Sequence, residues 1–287
     1  MSTIKNFMKI TKMEITILID IVAIAAFMAV PGSTKYPLIL ALVVVSGTLA
    51  SMSASLFNNI YDMDIDIKMN RTKSRSKIVN LNSRNKMIVF ASTMIIVSLL
   101  VSSILINLLT MLFILGGFLS YVVLYTIILK RRTSWNIVIG GIAGSFPALA
   151  GWAALTNSVS ATSLFIAFLV FMWTPTHFWN LSIDNVDDYK NGNVPMLPAT
   201  VGVQKTEFWI IVNTVILIAY SLIPLFTGII HLGKIYVPFA IIMDAILLYY
   251  MTKPMIKNYD KKAFRSAFGF SNMYMLVLLI VIIVSFT

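Results

Sequence analysis

The sequence predicts an all-α, polytopic membrane protein. Of its 287 residues, 59% are hydrophobic and only 11% are charged, whereas about 25% of the residues of a soluble domain are charged. The mean hydropathy is +0.89. No segment alternates between apolar and polar residues as barrel strands do, and lipid offers a spanning backbone no hydrogen-bond partner. The spans are therefore expected to be helices.

Nine apolar segments approach the ~20 residues that a helix needs to cross about 30 Å of hydrocarbon. Their approximate bounds are 15–30, 37–57, 88–107, 109–129, 137–156, 162–182, 207–230, 235–251 and 268–287. We expect residues 1–287 to form a single transmembrane domain of nine helices. Asp20 lies inside the first segment and argues against a cleaved signal peptide there. Cysteine is absent, which excludes a disulfide scaffold, a zinc finger and a thiol enzyme.

The distribution of Lys and Arg predicts the orientation. The formal charge of +11 sits in short clusters between apolar segments, which is typical of membrane loops and not of a nucleic-acid-binding surface. All basic residues except Lys35 and Lys234 fall in the N-terminal tail or after the second, fourth, sixth and eighth segments. We therefore expect a multi-pass cell-membrane protein with a cytoplasmic N-terminus. His231 falls in a short outer loop and receives no role.

A first set of oxygen-bearing side chains ends the second span. Asn58, Asp62 and Asp66 are spaced i, i+4 and i+8. On a helix this spacing places the three side chains on one face, at the predicted cytoplasmic end of the span. Asp64 lies off that face and is expected only to be solvated.

A second acidic set ends the sixth span. Asp184 and Asp188 are again spaced i and i+4, with Asp187 beside them. The second and sixth spans point the same way, so both sets are expected at the same membrane face. Facing oxygen clusters of this kind are bridged by hard cations such as Mg²⁺. The sequence therefore predicts a magnesium site between two spans.

Basic residues surround both acidic sets. Carboxylates, Mg²⁺ and cationic side chains together form a site for a phosphate group. At a membrane surface, a lipid diphosphate fits this site, because its tail can lie among the spans. The predicted diphosphate-binding residues are Lys68, Arg71, Lys73, Arg75, Lys130 and Arg131. The remaining basic residues of the loop after the second span, and those after the eighth, are interpreted as orientation signals.

Two further carboxylates, Asp20 and Asp244, lie within spans, where a charge is costly. They are either functional, or neutral and bonded to a neighbouring helix. An anion transporter that uses them for ion coupling is an alternative interpretation of the sequence. However, transporter sites lie near the membrane midplane, and the other carboxylates here cluster at one face.

The motifs resemble those of a known superfamily. The stretch from Asn58 to Arg75 resembles the NxxxDxxxD motif of the UbiA superfamily of intramembrane prenyltransferases, and Asp184 to Asp188 resembles its DxxxD motif. Residues 125–133 (YTIILKRRT), 136–141 (NIVIGG), 173–179 (WTPTHFW) and 195–198 (PMLP) resemble the protoheme IX farnesyltransferase (haem O synthase) family. The similarity runs from about residue 8 to the end. It departs at Met13 and Glu14, where the family usually has Pro-Arg.

This resemblance implies a UbiA-type helical bundle and a reaction. A farnesyl group passes from farnesyl diphosphate to a vinyl group of haem b, with water added, giving haem O. Mg²⁺ is the implied cofactor and haem b a substrate. The implied partners are the lipid bilayer, both substrates and a downstream haem-modifying or oxidase-assembly protein. The implied metal ligands are Asn58, Asp62, Asp66, Asp184 and Asp188, and the four aspartates among them are the implied catalytic residues.

The resemblance also implies a cavity for the haem and the prenyl chain. Tyr121, Tyr125, Phe178 and Trp179 are expected to line it as π-donors. His177 either binds the haem iron or a propionate, or packs between helices with a bond to a neighbour. A quinone precursor or an ether lipid remains the alternative acceptor within the superfamily.

Overall fold

The computed structural model describes residues 2–230, 232 and 234–286, so His231 lies outside the described residues. All regular elements in the described part are helical, and it contains no strand. The α-helices are α1 (Ser2–Ile10), α2 (Met13–Met28), α3 (Pro37–Tyr61), α4 (Met63–Asp66), α5 (Lys73–Ser76), α6 (Leu81–Leu105), α7 (Leu108–Leu119), α8 (Asn136–Gly140), α9 (Phe146–Thr156), α10 (Ala161–Asp184), α11 (Val186–Asn191), α12 (Leu197–Val201), α13 (Val203–Ser221), α14 (Ile223–Phe226), α15 (Tyr236–Ile256) and α16 (Lys261–Phe286).

Eight helical segments of the described chain are long and apolar enough to cross a membrane. They are Pro37–Tyr61, Leu81–Leu105, Leu108–Leu129, Asn136–Thr156, Ala161–Asp184, Val203–Phe226, Tyr236–Ile256 and Lys261–Ser285. This confirms the all-α membrane class and eight of the predicted spans. The remaining one corresponds to α2, whose 16 residues rise about 24 Å. The count of nine spans and the cytoplasmic N-terminus stay predictions.

Two spans begin seven residues earlier than hydropathy predicts. α6 begins at Leu81 and not near 88, because Asn80 and Ser83 form a capping box with two 3.1 Å bonds. α16 begins at Lys261 and not near 268. In both cases the first turns carry polar residues, which a hydropathy window assigns to the preceding loop. Side-chain capping, and not apolarity, sets the start of α6.

The short helix α2 packs among three longer helical segments. It packs against α3, α9 and α16, and its residues from Ala25 to Phe27 are fully buried. α9 approaches it at Gly151, where a Cβ atom would lie 2.1 Å from the Ala23 carbonyl oxygen. Only glycine permits this approach, as is common where membrane helices meet. The largest buried cluster joins α2 and α9 to α10, α13, α15 and α16.

The fourth predicted span changes helix type halfway. After α7, residues Ser120–Leu129 form a π-helix, which ends where the Lys130 N–H donates to the Tyr125 carbonyl at 2.8 Å. Such i→i+5 segments are rare and are frequent at functional sites. The Tyr125 ring lies where a Cβ on Gly140 would be only 2.6 Å from it, so glycine makes room for that ring. The sequence did not predict this segment.

Candidate active site

The first acidic set keeps its helical spacing across a break. α3 ends at Tyr61, yet the Asp62 N–H donates to the Asn58 carbonyl at 2.9 Å and the Asp66 N–H to the Asp62 carbonyl at 2.8 Å. Asn58, Asp62 and Asp66 are 4%, 1% and 5% exposed, whereas Asp64 is exposed. The prediction that the three share one buried face is confirmed.

The π-helix holds the first set in place. Asn58 Nδ2 donates to Asp62 Oδ2 at 2.8 Å and to the Thr126 hydroxyl at 3.1 Å. Thr126 in turn donates to the Tyr121 carbonyl at 2.8 Å. Lys130, directly after the π-helix, forms an ion pair with Asp62. One segment therefore orients the amide, the carboxylate and a cation together.

Lys12 joins this site from the start of α2. Its Nζ donates to Asn58 Oδ1 at 2.5 Å and to the Tyr121 hydroxyl at 3.0 Å. Burial, followed by the positive charges of Arg75 and Lys130, lowers the pKa of the Lys12 ammonium to about 7. The site is therefore rich in positive charge and suited to an anion.

Arg131 has a different partner from the one expected. It pairs with Asp64 at 2.7 and 2.9 Å, and its Nη2 lies 3.6 Å from Asp62 Oδ1. The expectation that Asp64 is only solvated is wrong, because this charge-assisted pair fixes its carboxylate. The Arg131 hydrogen bond lowers the pKa of Asp64, and the same bond raises the pKa of Arg131.

The second acidic set meets the loop that follows the first. The Asp188 carboxylate accepts hydrogen bonds from the backbone N–H groups of Asn70 and Arg71, at 3.0 and 2.9 Å. Asp184 pairs with Arg265 at 3.1 Å and Asp187 with Lys261 at 3.1 Å. Residues 118 positions apart are thus in direct contact. The second set therefore lies directly against the loop that follows the first set.

A cavity of about 470 Å³ lies at this junction, lined by Asn70, Arg71, Asp184, Asn185, Asp187 and Asp188. Among the predicted diphosphate-binding residues, Arg71 borders the cavity and also lies 3.4 Å from the Tyr189 hydroxyl. Lys68 and Lys73 are exposed and Arg75 is half-buried. Asn70 and Arg71 of the basic loop thus border the cavity, and the charged side chains of the loop stay at least partly accessible to an incoming anion.

The first set offers oxygen donors that suit a divalent cation. Asp62 Oδ1 is buried and accepts no hydrogen bond from any described residue. Burial raises the pKa of Asp66, so its charged form needs a cation nearby. Within the described ranges, no three His, Cys, Asp or Glu side chains gather into a metal site. Mg²⁺ usually binds through one or two carboxylates plus phosphate oxygens, so these residues fit a metal that arrives with a diphosphate.

The aromatic residues of the predicted cavity divide between two places. Tyr121 and Tyr125 stack, with ring centroids 5.7 Å apart, beside the first set. Tyr125 and Phe178 pack on the apolar cluster that joins the two acidic sets. Trp179 belongs instead to the large buried cluster around α10, with its ring 6.1 Å from Trp135.

His177 belongs to α10, and its side chain packs against α16. Its ring is stacked between Trp173 and Phe268, with centroids 4.3 and 4.4 Å away. Its Nδ1 is 2.7 Å from the Ser271 hydroxyl, and the residue is 6% exposed. Of the two interpretations offered by the sequence, these contacts favour helix packing with a bond to a neighbouring helix.

The two carboxylates within spans bond to neighbouring helices. Thr48 donates to Asp20 at 2.7 Å. Ser221 and Tyr274 donate to Asp244, both at 2.7 Å. Hydrogen bonds to a neighbouring helix are what is expected of an intramembrane carboxylate that contributes to helix packing.

Three residues at the site were missed from the sequence. In the sequence, Lys12 and Arg265 look like orientation signals, because each lies in a basic cluster next to a span. Each stands at the same end of a span as the acidic sets. Thr126 is a hydroxyl in an apolar run four residues before Lys130, and this spacing is its only sequence signal. Their partners lie far away in the chain, so local patterns do not reveal the contacts.

Similar proteins identify the family. Residues 20–278 match the UbiA prenyltransferase family. Protoheme IX farnesyltransferase 2 of Picrophilus torridus is 68% identical over 280 residues, covering 98% of this chain and 97% of that protein. Protoheme IX farnesyltransferase of Saccharolobus islandicus is 39% identical, with coverage of 98% and 97%. Both matches agree with the resemblance that the motifs indicate.

Solved structures share the fold. A chain from a structural study of digeranylgeranylglyceryl phosphate synthase in membranes has a TM-score of 0.74 and 20% identity, covering 99% of both chains. A UbiA homologue from Archaeoglobus fulgidus bound to DMAPP and Mg²⁺ has a TM-score of 0.65 and 11% identity, covering 96% of this chain and 99% of that one. At these identities the likeness concerns the fold alone. The chain is an integral membrane protein that belongs to the UbiA prenyltransferase family.

Proposed function

We propose that this chain transfers a farnesyl group from farnesyl diphosphate to a vinyl group of protoheme IX, with water added, to make haem O. One observation carries the position of the active site: Asp188 accepts from the N–H groups of Asn70 and Arg71. This contact joins the second acidic set to the basic loop that follows the first set, beside the cavity that Arg71 and Asp188 line. For the acceptor, the support is the relative at 68% identity, which is a protoheme IX farnesyltransferase.

The proposed metal ligands are the oxygen donors Asn58, Asp62, Asp66, Asp184 and Asp188. When bound, Mg²⁺ would neutralise the diphosphate and make pyrophosphate a better leaving group. The proposed diphosphate-binding residues are Lys68, Arg71, Lys73, Arg75, Lys130 and Arg131. Their positive charges hold the anion at the end of the bundle and stabilise the charge that develops on its oxygens.

The proposed reaction breaks one allylic C–O bond and forms a C–C bond and a new C–O bond on the haem vinyl group. The allylic C–O bond breaks, and its electron pair leaves with pyrophosphate. The π pair of the haem vinyl group forms the new C–C bond to the allylic carbon. Water then adds to the cationic vinyl carbon and releases a proton. Tyr121, Tyr125 and Phe178 present electron-rich rings beside the first set, where they stabilise the allylic cation and limit early capture by water.

The acceptor decides between this proposal and its alternative. Membranes that contain the protein should be incubated with Mg²⁺, haem b and farnesyl diphosphate, and the haems separated by chromatography. A farnesylated, hydroxylated haem is the expected product. Prenylation of a quinone precursor or an ether lipid, with haem b unchanged, would contradict the proposal. A downstream haem-modifying or oxidase-assembly partner stays a prediction from the resemblance.

A further inference from the structure

Lys12 occupies an unusual position between α1 and α2. Its φ of 52° and ψ of 50° lie in the left-handed region, which non-glycine residues rarely adopt. Such a conformation persists only where the surroundings fix it, and it is common at functional sites. Here it accompanies a side chain that reaches the first acidic set, with Nζ also 5.6 Å from the centre of the Tyr121 ring.

The partners of Lys12 are neutral. Its Nζ contacts the Asn58 amide oxygen at 2.5 Å and the Tyr121 hydroxyl at 3.0 Å. Among the described residues, it forms no ion pair with a carboxylate. Lys130 differs, since it pairs directly with Asp62. A partly buried ammonium with only neutral partners gains from an anion placed beside it.

The oxygen that Lys12 contacts is one that the proposed metal site requires. The Asn58 side chain has a single oxygen, Oδ1, and its Nδ2 already donates to Asp62 and Thr126. A metal ion at Asn58 must therefore bind Oδ1. An ammonium and a divalent cation on one oxygen repel each other. Metal binding at Asn58 therefore becomes easier when the ammonium moves to another acceptor.

We propose that Lys12 is a diphosphate-binding residue that couples substrate binding to metal binding. Its ammonium holds Asn58 Oδ1 until a diphosphate oxygen accepts it, and the amide oxygen is then free for the divalent ion. This inference rests on the proposed function. Through Lys12, the start of α2 then couples the binding of the metal to the binding of the diphosphate. By thermodynamic linkage, each ligand raises the affinity of the protein for the other.

The test uses the full-length protein in lipid nanodiscs, with Mn²⁺ and inorganic pyrophosphate as probes. Lys12→Met removes the charge, and Lys12→Arg keeps it. Lys9→Met is the matched control, because Lys9 is exposed in α1 and bonds to Ser74 at 2.5 Å. Electron paramagnetic resonance measures free and bound Mn²⁺, with and without pyrophosphate. Steady-state assays give the KM for farnesyl diphosphate.

We expect Lys12→Met to raise this KM about tenfold, the order of a lost charge-assisted hydrogen bond. Mn²⁺ alone should bind at least as tightly as to the wild type, since its competitor is gone. The factor by which pyrophosphate strengthens Mn²⁺ binding should fall severalfold. Lys12→Arg should restore most of that factor, and Lys9→Met should leave all three values unchanged.

Two results would overturn the inference. One is weaker Mn²⁺ binding to Lys12→Met without pyrophosphate, which would mean that Lys12 only supports the shape of the site. The other is an unchanged coupling factor. A wild type that shows this coupling but farnesylates no haem would contradict the proposed function alone. If the protein farnesylates haem but Lys12→Met leaves the coupling between pyrophosphate and Mn²⁺ binding unchanged, only this inference is contradicted.

Discussion

The two acidic sets are joined through the loop that follows the first set, but they differ in their surroundings. In the first set, the Asp62 side chain is 2% exposed and its partner Lys130 is 13% exposed. In the second, Asp187 and Lys261 are 73% and 57% exposed, and Arg265, the partner of Asp184, is 71% exposed. Asp188 is the exception, because it is buried and held by backbone N–H groups.

This difference separates two tasks. Charges that are buried together are held firmly, and breaking one such pair is costly, whereas exposed pairs are screened by water and contribute little. The first set is therefore a rigidly held group of proposed metal ligands, which the π-helix supports. The second set forms the open side of the cavity, where only Asp188 is fixed. The predictions below test this contrast, from the largest expected effect to the smallest.

The largest effect should come from one buried carboxylate of each set, Asp62 in the first and Asp188 in the second. Asp62→Ala and Asp188→Ala are each expected to lower turnover about 10³-fold or more, ~4 kcal/mol of barrier, because each removes a proposed metal ligand. Initial rates of haem farnesylation in membranes with equal amounts of inserted protein measure this. Asp187→Ala, next to Asp188 but exposed, is the matched control and should stay within about threefold.

Residual activity within about tenfold of the wild type, ~1.4 kcal/mol, would refute a metal-ligand role for the residue concerned. If Asp187→Ala were as damaging as Asp188→Ala, the second set would act as a whole and the contrast within it would be lost.

The next effect concerns stability. Lys130→Met leaves the Asp62 carboxylate buried without its closest cation, and removing one partner of a buried pair costs about 3–5 kcal/mol. We expect the lower end of that range, since Arg131 Nη2 remains 3.6 Å from Asp62. Unfolding in mixed detergent measures the change. The double variant Lys130→Met/Asp62→Asn should recover much of it, and failure to do so would mean that Lys130 acts mainly through packing.

The sequence predicts that both sets lie at the same membrane face, for a physical reason. The i, i+4 spacing of Asn58, Asp62 and Asp66 is local, and the same spacing of Asp184 and Asp188 places them at the matching end of a parallel span. Hydropathy also locates eight of the spans, because each one is a continuous apolar run.

Contacts between distant parts of the chain were not predictable in this way. Lys12 reaches Asn58 across 46 positions, and its charge is indistinguishable from an orientation signal in the sequence. The π-helix depends on i→i+5 bonds and on room for the Tyr125 ring at Gly140. The sequence of residues 120–129 looks like an ordinary apolar helix and indicates neither the i→i+5 bonds nor the contact with Gly140. Pairing of Asp64 with Arg131 likewise depends on α4 and the loop after the π-helix, which meet only in the fold.

A moderate effect is expected from the support beneath the first set. Thr126 is fully buried, and Thr126→Val removes its bonds to Asn58 and to the Tyr121 carbonyl. We expect a loss of about 1 kcal/mol in stability and a higher Mg²⁺ requirement, because the Asn58 amide loses one of its restraints. Magnesium titration of the farnesylation rate measures this.

Thr162→Val near the start of α10 offers a control, because Thr162 is also buried but stands at the opposite end of that helix from Asp184. An equal shift in the Mg²⁺ requirement for both variants would contradict a local role for Thr126.

The smallest effect should lie on the open side of the cavity. Lys261→Gln breaks the pair with Asp187, whose N–O distance is 3.1 Å, but both side chains are more than half exposed and gain little from each other in water. We expect a change in stability of less than about 0.5 kcal/mol, which should shrink further as added salt screens the pair. Parallel unfolding curves of Lys261→Gln and Lys130→Met, each at low and high salt, place the two pairs on one scale. A salt-independent loss above about 1 kcal/mol in Lys261→Gln would mean that the second set is closed to solvent as the first is. The open side through which a diphosphate reaches Asp188 would then have to lie elsewhere.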